Sequence, residues 1–316
     1  MSAAGRFAPS PSSELHLGNL RTALIAWLAA RSQGAPFHLR IDDLDAGRSR
    51  PEIAARQLAD LAALGLDHDG PVPWQSQRTE RYSAAFAALE ASGDVYPCFC
   101  TRAEIRDASR APHGAPTAGY PGTCRDLTDA QRAARIASGR VPAWRFRADP
   151  AAVAFDDRVL GAQSLPAEDA VLRRADGAFG YQLAVVLDDA DQAIGEVVRG
   201  ADLLGSCATQ RQLQDRLDLP HTTYAHVPLM VGADGARLAK RHGASGLADA
   251  LAGRLDVTLP GLPPGVPATA VQVRSALALT AGLTEPGAQP TLDDLVCTFS
   301  YERLPTGSTM MHGCSS

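Results

Sequence analysis

A strand, a turn and a helix follow one another within residues 6–28, and this segment constrains the fold more than any other. It begins with a short apolar run, continues through a loop of two prolines and three serines, and then shows helical apolar spacing from Leu20 to Leu28. The free N–H groups and the dipole of a helix N-terminus favour anions. His16 precedes this terminus, and Gly18 lets a ligand approach the backbone. The segment predicts an anion-binding turn; an ordinary turn with a solvated histidine has the same pattern.

A second strand follows the helix. The alternation of Phe37–Ile41 predicts this strand, and strand, helix and strand at this spacing form a βαβ unit with a parallel sheet. Three carboxylates, Asp42, Asp43 and Asp45, come directly after it. Ligands of open α/β sheets bind at the carboxyl ends of the strands, so these acids are expected at a ligand site. Solvated or capping acids are the alternative.

The remaining periodicity predicts an α/β fold with a Rossmann-like parallel sheet. Apolar runs predict further strands at 144–147, 170–173, 179–189, 194–199 and 225–231, and helices at 206–217, 269–282 and 291–297. Arg199 falls at a strand end, and Cys207 is expected to serve packing because it has no nearby partner. The predicted division is a core at 1–95 and 140–245, an inserted subdomain at 96–139, a helical subdomain at 246–300 and a disordered tail at 301–316.

Composition excludes two classes of protein. The net charge of −5 excludes a polycation that coats nucleic acid, so any RNA contact must use a local basic patch. No stretch approaches the ~20 consecutive apolar residues of a membrane span. The N-terminus also lacks a basic segment followed by a long apolar run. A cytoplasmic protein without a membrane partner is expected.

The inserted subdomain carries a candidate metal site. Cys98, Cys100 and Cys124 are crowded within it, and three thiolates arriving by a turn suit tetrahedral zinc. The segment offers Tyr120 and His113 as the fourth ligand, and general zinc chemistry favours His113. Three unligated thiols are the alternative.

A basic loop follows the last predicted core strand. Arg237, Lys240 and Arg241 place three cations within five residues of a glycine-punctuated loop, which suits phosphate groups. Taken alone, the loop has the composition of an ordinary solvated basic loop.

Together these residues resemble the catalytic region of class I aminoacyl-tRNA synthetases of the glutamyl type. Arg6–Pro11 and His16–Asn19 resemble the "HIGH" block of that family, Arg40–Asp45 its Arg-Ile-Glu-Asp-x-Asp strand end, and Arg237–Arg241 its "KMSKS" loop. The blocks occur in the family's order from about residue 5 to residue 246.

Within that family, the chain is most similar to a truncated paralogue. The pattern of Cys98, Cys100, Tyr120 and Cys124 matches that paralogue's zinc ligands, which implies one structural zinc with Tyr120 rather than His113 as the fourth ligand. The residues beyond the basic loop are too few for the anticodon-binding domain of a full glutamyl enzyme. The resemblance further implies that the insertion is of the acceptor-binding type and that residues 246–300 resemble a stem-contact subdomain.

The resemblance implies a ligase that activates L-glutamate with ATP and Mg²⁺ and transfers the glutamyl group to queuosine-34 in the anticodon arm of tRNA(Asp). Its catalytic residues would be His16 and Lys240, and the protein would be a monomer. The implied glutamate-binding positions are Arg6, Phe7, Ala8, Pro9, Ser10, Asp42, Tyr181 and Arg199. The implied ATP-binding positions are His16, Gly18, Asn19, Arg237 and Lys240.

Three positions depart from the family pattern. Asp42 replaces the usual glutamate, Ala239 replaces the usual serine of the basic loop, and Asn19 fills a variable position. The alternative functions are a shortened synthetase that charges the 3′ end of tRNA, an inactive zinc-containing RNA-binding module, and a nucleotidylyltransferase. The last gives no account of the zinc segment or of the paired arginines.

Overall fold

The structure is a computed structural model and describes residues 4–109, 120–238 and 243–311. The α-helices are α1 Leu17–Ser32, α2 Pro51–Ala63, α3 Thr79–Ala91, α4 Arg102–Ser109, α5 Asp129–Ala137, α6 Tyr181–Asp191, α7 Cys207–Arg216, α8 Leu247–Leu251, α9 Ala270–Thr280 and α10 Leu292–Thr298. The strands are β1 Gly5–Phe7, β2 Phe37–Leu39, β3 Val95–Cys98, β4 Ala143–Phe146, β5 Ala152–Asp157, β6 Gly161–Pro166, β7 Val171–Arg173, β8 Glu196–Gly200, β9 Thr223–Val227, β10 Met230–Val231 and β11 Thr309–Met310.

The main sheet has the strand order β2-β1-β8-β9-β5-β6. β1 pairs in parallel with β2, β8 with β9, and β5 with β9, while β6 is an antiparallel edge strand. A parallel bridge between Ala4 and Ile194 connects β1 to β8. The predicted α/β architecture with a parallel sheet is confirmed. β1 and β8 are neighbours within the sheet, with β2 on the outer side of β1 and β9 on the outer side of β8. Their carboxyl ends therefore flank the crevice in which such sheets bind ligands.

Helix α1 is the centre of the main hydrophobic core. Eleven of its 16 residues are buried, because it lies between β1 and β8 on one side and α9 and α10 on the other. A helix that is apolar around its whole circumference requires such cover. The helix therefore holds its N-terminus rigidly against the sheet. The predicted helices at 206–217, 269–282 and 291–297 are confirmed as α7, α9 and α10.

A second, antiparallel sheet supports the insertion. Its strand order is β3-β4-β7, and β3 pairs with β4 along Val95–Cys98 and Ala143–Phe146. Helices α4 and α5 lie between these two strands in the chain. The division of the chain into subdomains remains a prediction.

The apolar run at 179–189 forms a helix, so the predicted strand is wrong. Residues Tyr181–Asp191 are α6, whose buried residues run without interruption from Leu183 to Asp189. A continuous apolar run does not distinguish a buried helix from a buried strand. Gly180 begins the helix, and a Cβ on it would lie 2.1 Å from the Val171 carbonyl oxygen.

The described part of the tail that was expected to be disordered, residues 301–311, contains regular structure. β11 pairs with β10, Met311 is buried, and Arg21 of α1 donates a 2.8 Å hydrogen bond to the Thr309 hydroxyl. Sequence periodicity does not predict β11, because a strand of two residues is too short to show a period. Across the residues described, no helix combines the length and apolar character needed to cross a bilayer.

Candidate active site

A cleft of about 1140 Å³ opens at the carboxyl ends of β1, β2 and β8. The N-termini of α1 and α6 complete its wall. The sequence-predicted residues that line it are Arg6, Phe7, Ala8, Pro9, Ser10, His16, Gly18, Asn19, Asp42, Tyr181, Arg199 and Arg237. Lys240 belongs to residues 239–242, which lie outside the described part of the chain. The fold thus gathers every described member of the predicted glutamate and ATP sets around one cleft.

His16 caps the N-terminus of α1. Its Nδ1 accepts a 3.2 Å hydrogen bond from the backbone N–H of Asn19, and the Asn19 side chain accepts one of 3.3 Å from the backbone N–H of His16. Because a backbone N–H only donates, Nδ1 is an acceptor, and the proton of the neutral ring resides on Nε2. A Cβ on Gly18 would lie 3.0 Å from the imidazole. Glycine therefore makes room for a histidine that presents a donor at the helix end.

An ionic network holds the Arg6 side of the cleft. Asp189 of α6 accepts hydrogen bonds from Arg6 Nε at 3.3 Å and Nη2 at 3.2 Å, and from Arg40 Nη1 at 2.8 Å. Burial alone would raise the pKa of Asp189, but the two guanidinium groups more than offset this and lower it. Arg6 Nη1 also donates to the Val198 carbonyl. Arg6 is thereby fixed between β1, β8 and α6.

Asp42 faces Arg40 in the same network. Its Oδ1 accepts a 2.8 Å hydrogen bond from Arg40 Nε. Burial raises the pKa of Asp42 to about 6, in spite of the opposing influence of Arg40, and the nearby Asp188 and Asp189 add to the rise. The neighbouring Asp43 instead accepts a hydrogen bond from the Ser76 backbone N–H. Of this pair of adjacent acids, Asp42 lines the cleft.

Arg199 lies across the cleft from β1 and is almost fully buried. Its Nε donates to His226 Nε2 at 3.0 Å, Nη2 lies 3.2 Å from the Cys207 sulfur, and Nη1 lies 3.5 Å from the Tyr181 hydroxyl. The expectation that Cys207 has no partner is wrong, because the fold brings this first residue of α7 next to Arg199 of β8. Tyr181, the first residue of α6, is the most exposed of these side chains.

Arg237 begins the basic loop and pairs with Asp202. Their Nη1 and Oδ2 atoms are 2.5 Å apart, and both residues line the cleft. An antiparallel bridge from Arg237 to Val231 ties the start of the loop to β10. The described start of the loop is thus anchored to β10 and lines the cleft at Arg237.

The three cysteines of the insertion form a compact cluster. The sulfur atoms of Cys98, Cys100 and Cys124 all lie within 4.8 Å of one another. Tyr120 is adjacent, since its hydroxyl accepts a 2.6 Å hydrogen bond from the Cys124 backbone N–H. Burial raises the pKa of the Cys100 thiol to about 12, so forming the thiolate is unfavourable without a partner. A bound cation offsets this, because metal ligation stabilises the thiolate. The donor set fits a zinc ion. His113, the other proposed ligand, lies outside the described residues.

Several buried residues, which include Arg40 of the cleft wall and side chains behind it, were not predicted as site residues from the sequence. Arg40, Asp189, Asp157 and His226 are buried and charged or polar, and their partners are distant in sequence: Arg40 and Asp189 are 149 residues apart, and Asp157 and His226 are 69 apart. The available signal was weak. Polar interruptions in apolar runs, such as Asp189 and His226, mark buried groups that need partners.

Comparison with known proteins decides the family. Residues 3–258 match the family model described as tRNA synthetases class I (E and Q), catalytic domain. The chain is 57% identical over 246 residues to the glutamyl-Q tRNA(Asp) synthetase of Nocardia farcinica, covering 78% of each chain. It is 51% identical over 257 residues to that of Symbiobacterium thermophilum, covering 77% of this chain and 80% of the relative. The chain belongs to the glutamyl-Q tRNA(Asp) synthetase family. It is therefore a ligase of the aminoacyl-tRNA synthetase type.

The fold of this family member agrees with that assignment. It superimposes on a glutamate tRNA ligase from Elizabethkingia meningosepticum with a TM-score of 0.79, 23% identity, and coverage of 98% of this chain and 67% of the other. At that identity the match establishes the class I fold. Class I synthetases use ATP with Mg²⁺, and their catalytic domain spans the cleft described above.

Proposed function

We propose that this enzyme joins L-glutamate to AMP and then transfers the glutamyl group to queuosine-34 of tRNA(Asp). The observation that carries the proposal is the composition of the cleft. A histidine-capped helix N-terminus, suited to phosphate, faces two arginines and one carboxylate, suited to an amino acid with an acidic side chain. The names of the relatives supply the nucleic-acid part of the proposal.

The glutamate sits between β1 and β8 in this proposal. Arg6 and Arg199 bind its two carboxylates, and Asp42 binds its ammonium group. Tyr181 and residues 7–10 form the remaining contacts. Arg6 and Arg199 are both held by other side chains, so they lose little conformational entropy when they bind the substrate.

ATP occupies the other half of the cleft, along Gly18, Asn19 and Arg237. The α-carboxylate oxygen of glutamate attacks the α-phosphorus, the bond to the bridging oxygen breaks, and pyrophosphate leaves. His16 Nε2–H and the helix N-terminus stabilise the charge on the α-phosphate. Lys240, assigned by its position in the "KMSKS"-like loop, holds the departing pyrophosphate with Mg²⁺.

The insertion contributes to tRNA binding and carries one structural zinc on Cys98, Cys100, Tyr120 and Cys124. Proteins read unpaired bases of RNA loops most readily, which suits an anticodon nucleotide as acceptor. A hydroxyl of the queuosine cyclopentenediol takes the glutamyl group, and AMP leaves. A monomer working in the cytoplasm is sufficient for this chemistry.

The test is ATP–pyrophosphate exchange with each amino acid in the absence of tRNA, followed by glutamylation of tRNA(Asp) with and without queuosine. We expect exchange with glutamate alone and transfer only to the queuosine-bearing tRNA. Exchange that requires tRNA(Glu), or esterification of a tRNA without queuosine, would instead identify a shortened glutamyl-tRNA synthetase. No exchange in either condition would indicate an inactive RNA-binding module.

A further inference from the structure

A chain of three buried side chains ends at Arg199. Arg199 Nε donates to His226 Nε2 at 3.0 Å, and His226 Nδ1 lies 2.6 Å from Asp157 Oδ2. The side chains of His226 and Asp157 are fully buried. The register of β8 with β9 places Arg199 beside His226, and Asp157 ends the next strand, β5. Three neighbouring parallel strands thus each supply one member.

The hydrogen bonds fix the protonation state of His226. A guanidinium Nε–H only donates, so His226 Nε2 must accept, and the proton must reside on Nδ1, which donates to Asp157. Burial and the Arg199 charge lower the pKa of His226, while Asp157 opposes them. The ring is therefore neutral, with one defined tautomer.

Asp157 is itself fixed by the backbone. Its Oδ1 accepts hydrogen bonds of 2.9 Å from the backbone N–H groups of both Val159 and Leu160, and the backbone N–H of His226 donates to the same carboxylate. Burial alone would raise the pKa of Asp157, but the hydrogen bonds from His226 and these N–H groups lower it. The carboxylate stays ionised and holds the imidazole in place.

The same residues do not form a cysteine nucleophile. Cys207 lies 3.6 Å from His226 Nε2, which resembles a Cys-His-Asp arrangement. However, Nε2 already accepts from Arg199, the sulfur is fully buried, and burial raises the pKa of the thiol. The sulfur serves as a contact for the guanidinium.

We propose that Asp157 and His226 are positioning residues that orient Arg199 for the carboxylate of the glutamate substrate. With Nε held by His226, Nη2 beside Cys207 and the plane over the Tyr224 ring, the guanidinium has one orientation. Its remaining N–H groups are then available to a ligand in the cleft. This role rests on the proposed binding of glutamate by Arg199.

The first test exchanges one atom of the carboxylate. In Asp157→Asn, the oxygen stays with the backbone N–H groups, and the amide nitrogen donates to His226 Nδ1. The imidazole proton then moves to Nε2, where it opposes the Nε–H of Arg199. The same change from Asp to Asn leaves the histidine of a catalytic triad in the wrong tautomer. We expect the KM for glutamate in ATP–pyrophosphate exchange to rise about tenfold, with the KM for ATP unchanged. Asp156→Asn, on the exposed face of the same strand, is the matched control.

A second pair of variants separates positioning from packing. In His226→Gln, the amide oxygen reaches the Nε2 position and accepts from Arg199, so the KM for glutamate should stay near that of the wild type. In His226→Asn, only the Nδ1 position is replaced, and the KM for glutamate should rise as in Asp157→Asn. Equal values for the two histidine variants, or an unchanged KM in Asp157→Asn, would overturn the proposal.

The wild-type protein provides a readout that needs no activity. ¹⁵N NMR of histidine, with the signals of His226 identified by their loss in His226→Gln, should show the Nδ1–H tautomer. An Nε2–H tautomer or a charged ring would refute the positioning role. A wild-type protein that neither binds nor exchanges glutamate would refute the proposed function and this role together, even with the expected tautomer.

Discussion

Asp42 is held in a balance of opposing charges. Its side chain is about 11% exposed, Arg40 lies 2.8 Å away, and two further acids, Asp188 and Asp189, share the same arginine. The desolvation of a carboxylate in this setting exceeds the attraction of the arginine, so its pKa rises to about 6. In the proposed complex, the ammonium group of glutamate supplies the missing positive charge. Substrate binding and ionisation of Asp42 are therefore linked.

This linkage predicts a pH dependence. Above pH 6 the ionised Asp42 accepts the ammonium group, and below pH 6 the protonated acid does not. We expect kcat/KM for glutamate to fall about tenfold per pH unit below pH 6, because this parameter reports the free enzyme. Steady-state exchange at pH 5 to 8 measures it. Asp42→Asn should remove the inflection near pH 6; an inflection that persists in this variant belongs to another group.

His16 caps helix α1 and, in the proposed function, also donates a hydrogen bond to phosphate; the two roles are separable. His16→Asn keeps an oxygen that can accept from the Asn19 N–H but loses the Nε2 donor, so kcat for exchange should fall roughly 10²-fold with little loss of stability. His16→Ala loses both, and its free energy of unfolding should drop by a further ~1 kcal/mol. Thermal unfolding and exchange rates check both. Similar kcat for wild type and His16→Asn would exclude the donor role.

Helix α6 shows how one element serves the whole cleft. Its first residue, Tyr181, faces the cleft, and near its end Asp188 accepts from Tyr82 and Gln75 while Asp189 holds Arg6 and Arg40. A strand could not place Asp188 and Asp189 in this way, because successive side chains of a strand point to opposite faces of the sheet. The start of the helix is set by Gly180, whose position beside the Val171 carbonyl leaves no space for a Cβ.

A single methyl group at Gly180 should therefore disturb the cleft. Gly180→Ala places a Cβ 2.1 Å from a backbone oxygen, so the strand or the helix must move. We expect a loss of roughly 1–3 kcal/mol in the free energy of unfolding and a higher KM for glutamate through displacement of Tyr181. Gly205→Ala, an exposed site with no atom within 4 Å of the added Cβ, is the matched control. Equal stability of the two variants would contradict this account of α6.

Local signals predicted some elements and missed others. The turn before α1 was predictable because His16, Gly18 and the apolar spacing lie within a few residues of one another, and a helix cap is a local structure. Helix α6 was not, because its apolar residues are consecutive and give no period. The meeting of Asp42 and Arg199 at one cleft followed from strand ends in a parallel sheet, and the place of Arg6 beside them followed from the family resemblance. The charges that hold them, such as Asp189 on Arg40, are partners across 149 residues and leave no local pattern.

At the scale of the molecule, the cysteine cluster is separate from the cleft. None of Cys98, Cys100, Cys124 and Tyr120 is among the described residues that line the cleft. Under the proposed function, activation of glutamate and docking of tRNA would therefore depend on different parts of the chain. This separation gives the proposed zinc a specific expected effect.

Removal of zinc should impair transfer more than activation. Cys124→Ser should lose the bound zinc and most glutamylation of tRNA(Asp), while glutamate exchange without tRNA stays within about threefold of the wild type, because metal binding stabilises its own subdomain. Cys297→Ser, an exposed thiol on α10, should change neither. Metal analysis and the two assays check this. Full zinc occupancy in Cys124→Ser would exclude the proposed ligand set.

The pairing of β10 with β11 has a consequence for the folding of the chain during translation. The Met230–Val231 strand that anchors the basic loop is completed by Thr309–Met310, and Arg21 binds the same segment. During translation, the core helices and strands can assemble while this partner strand is still unmade. The side of the cleft next to β10, where ATP is proposed to bind, therefore lacks this supporting strand in a nascent chain until residue 310 has emerged.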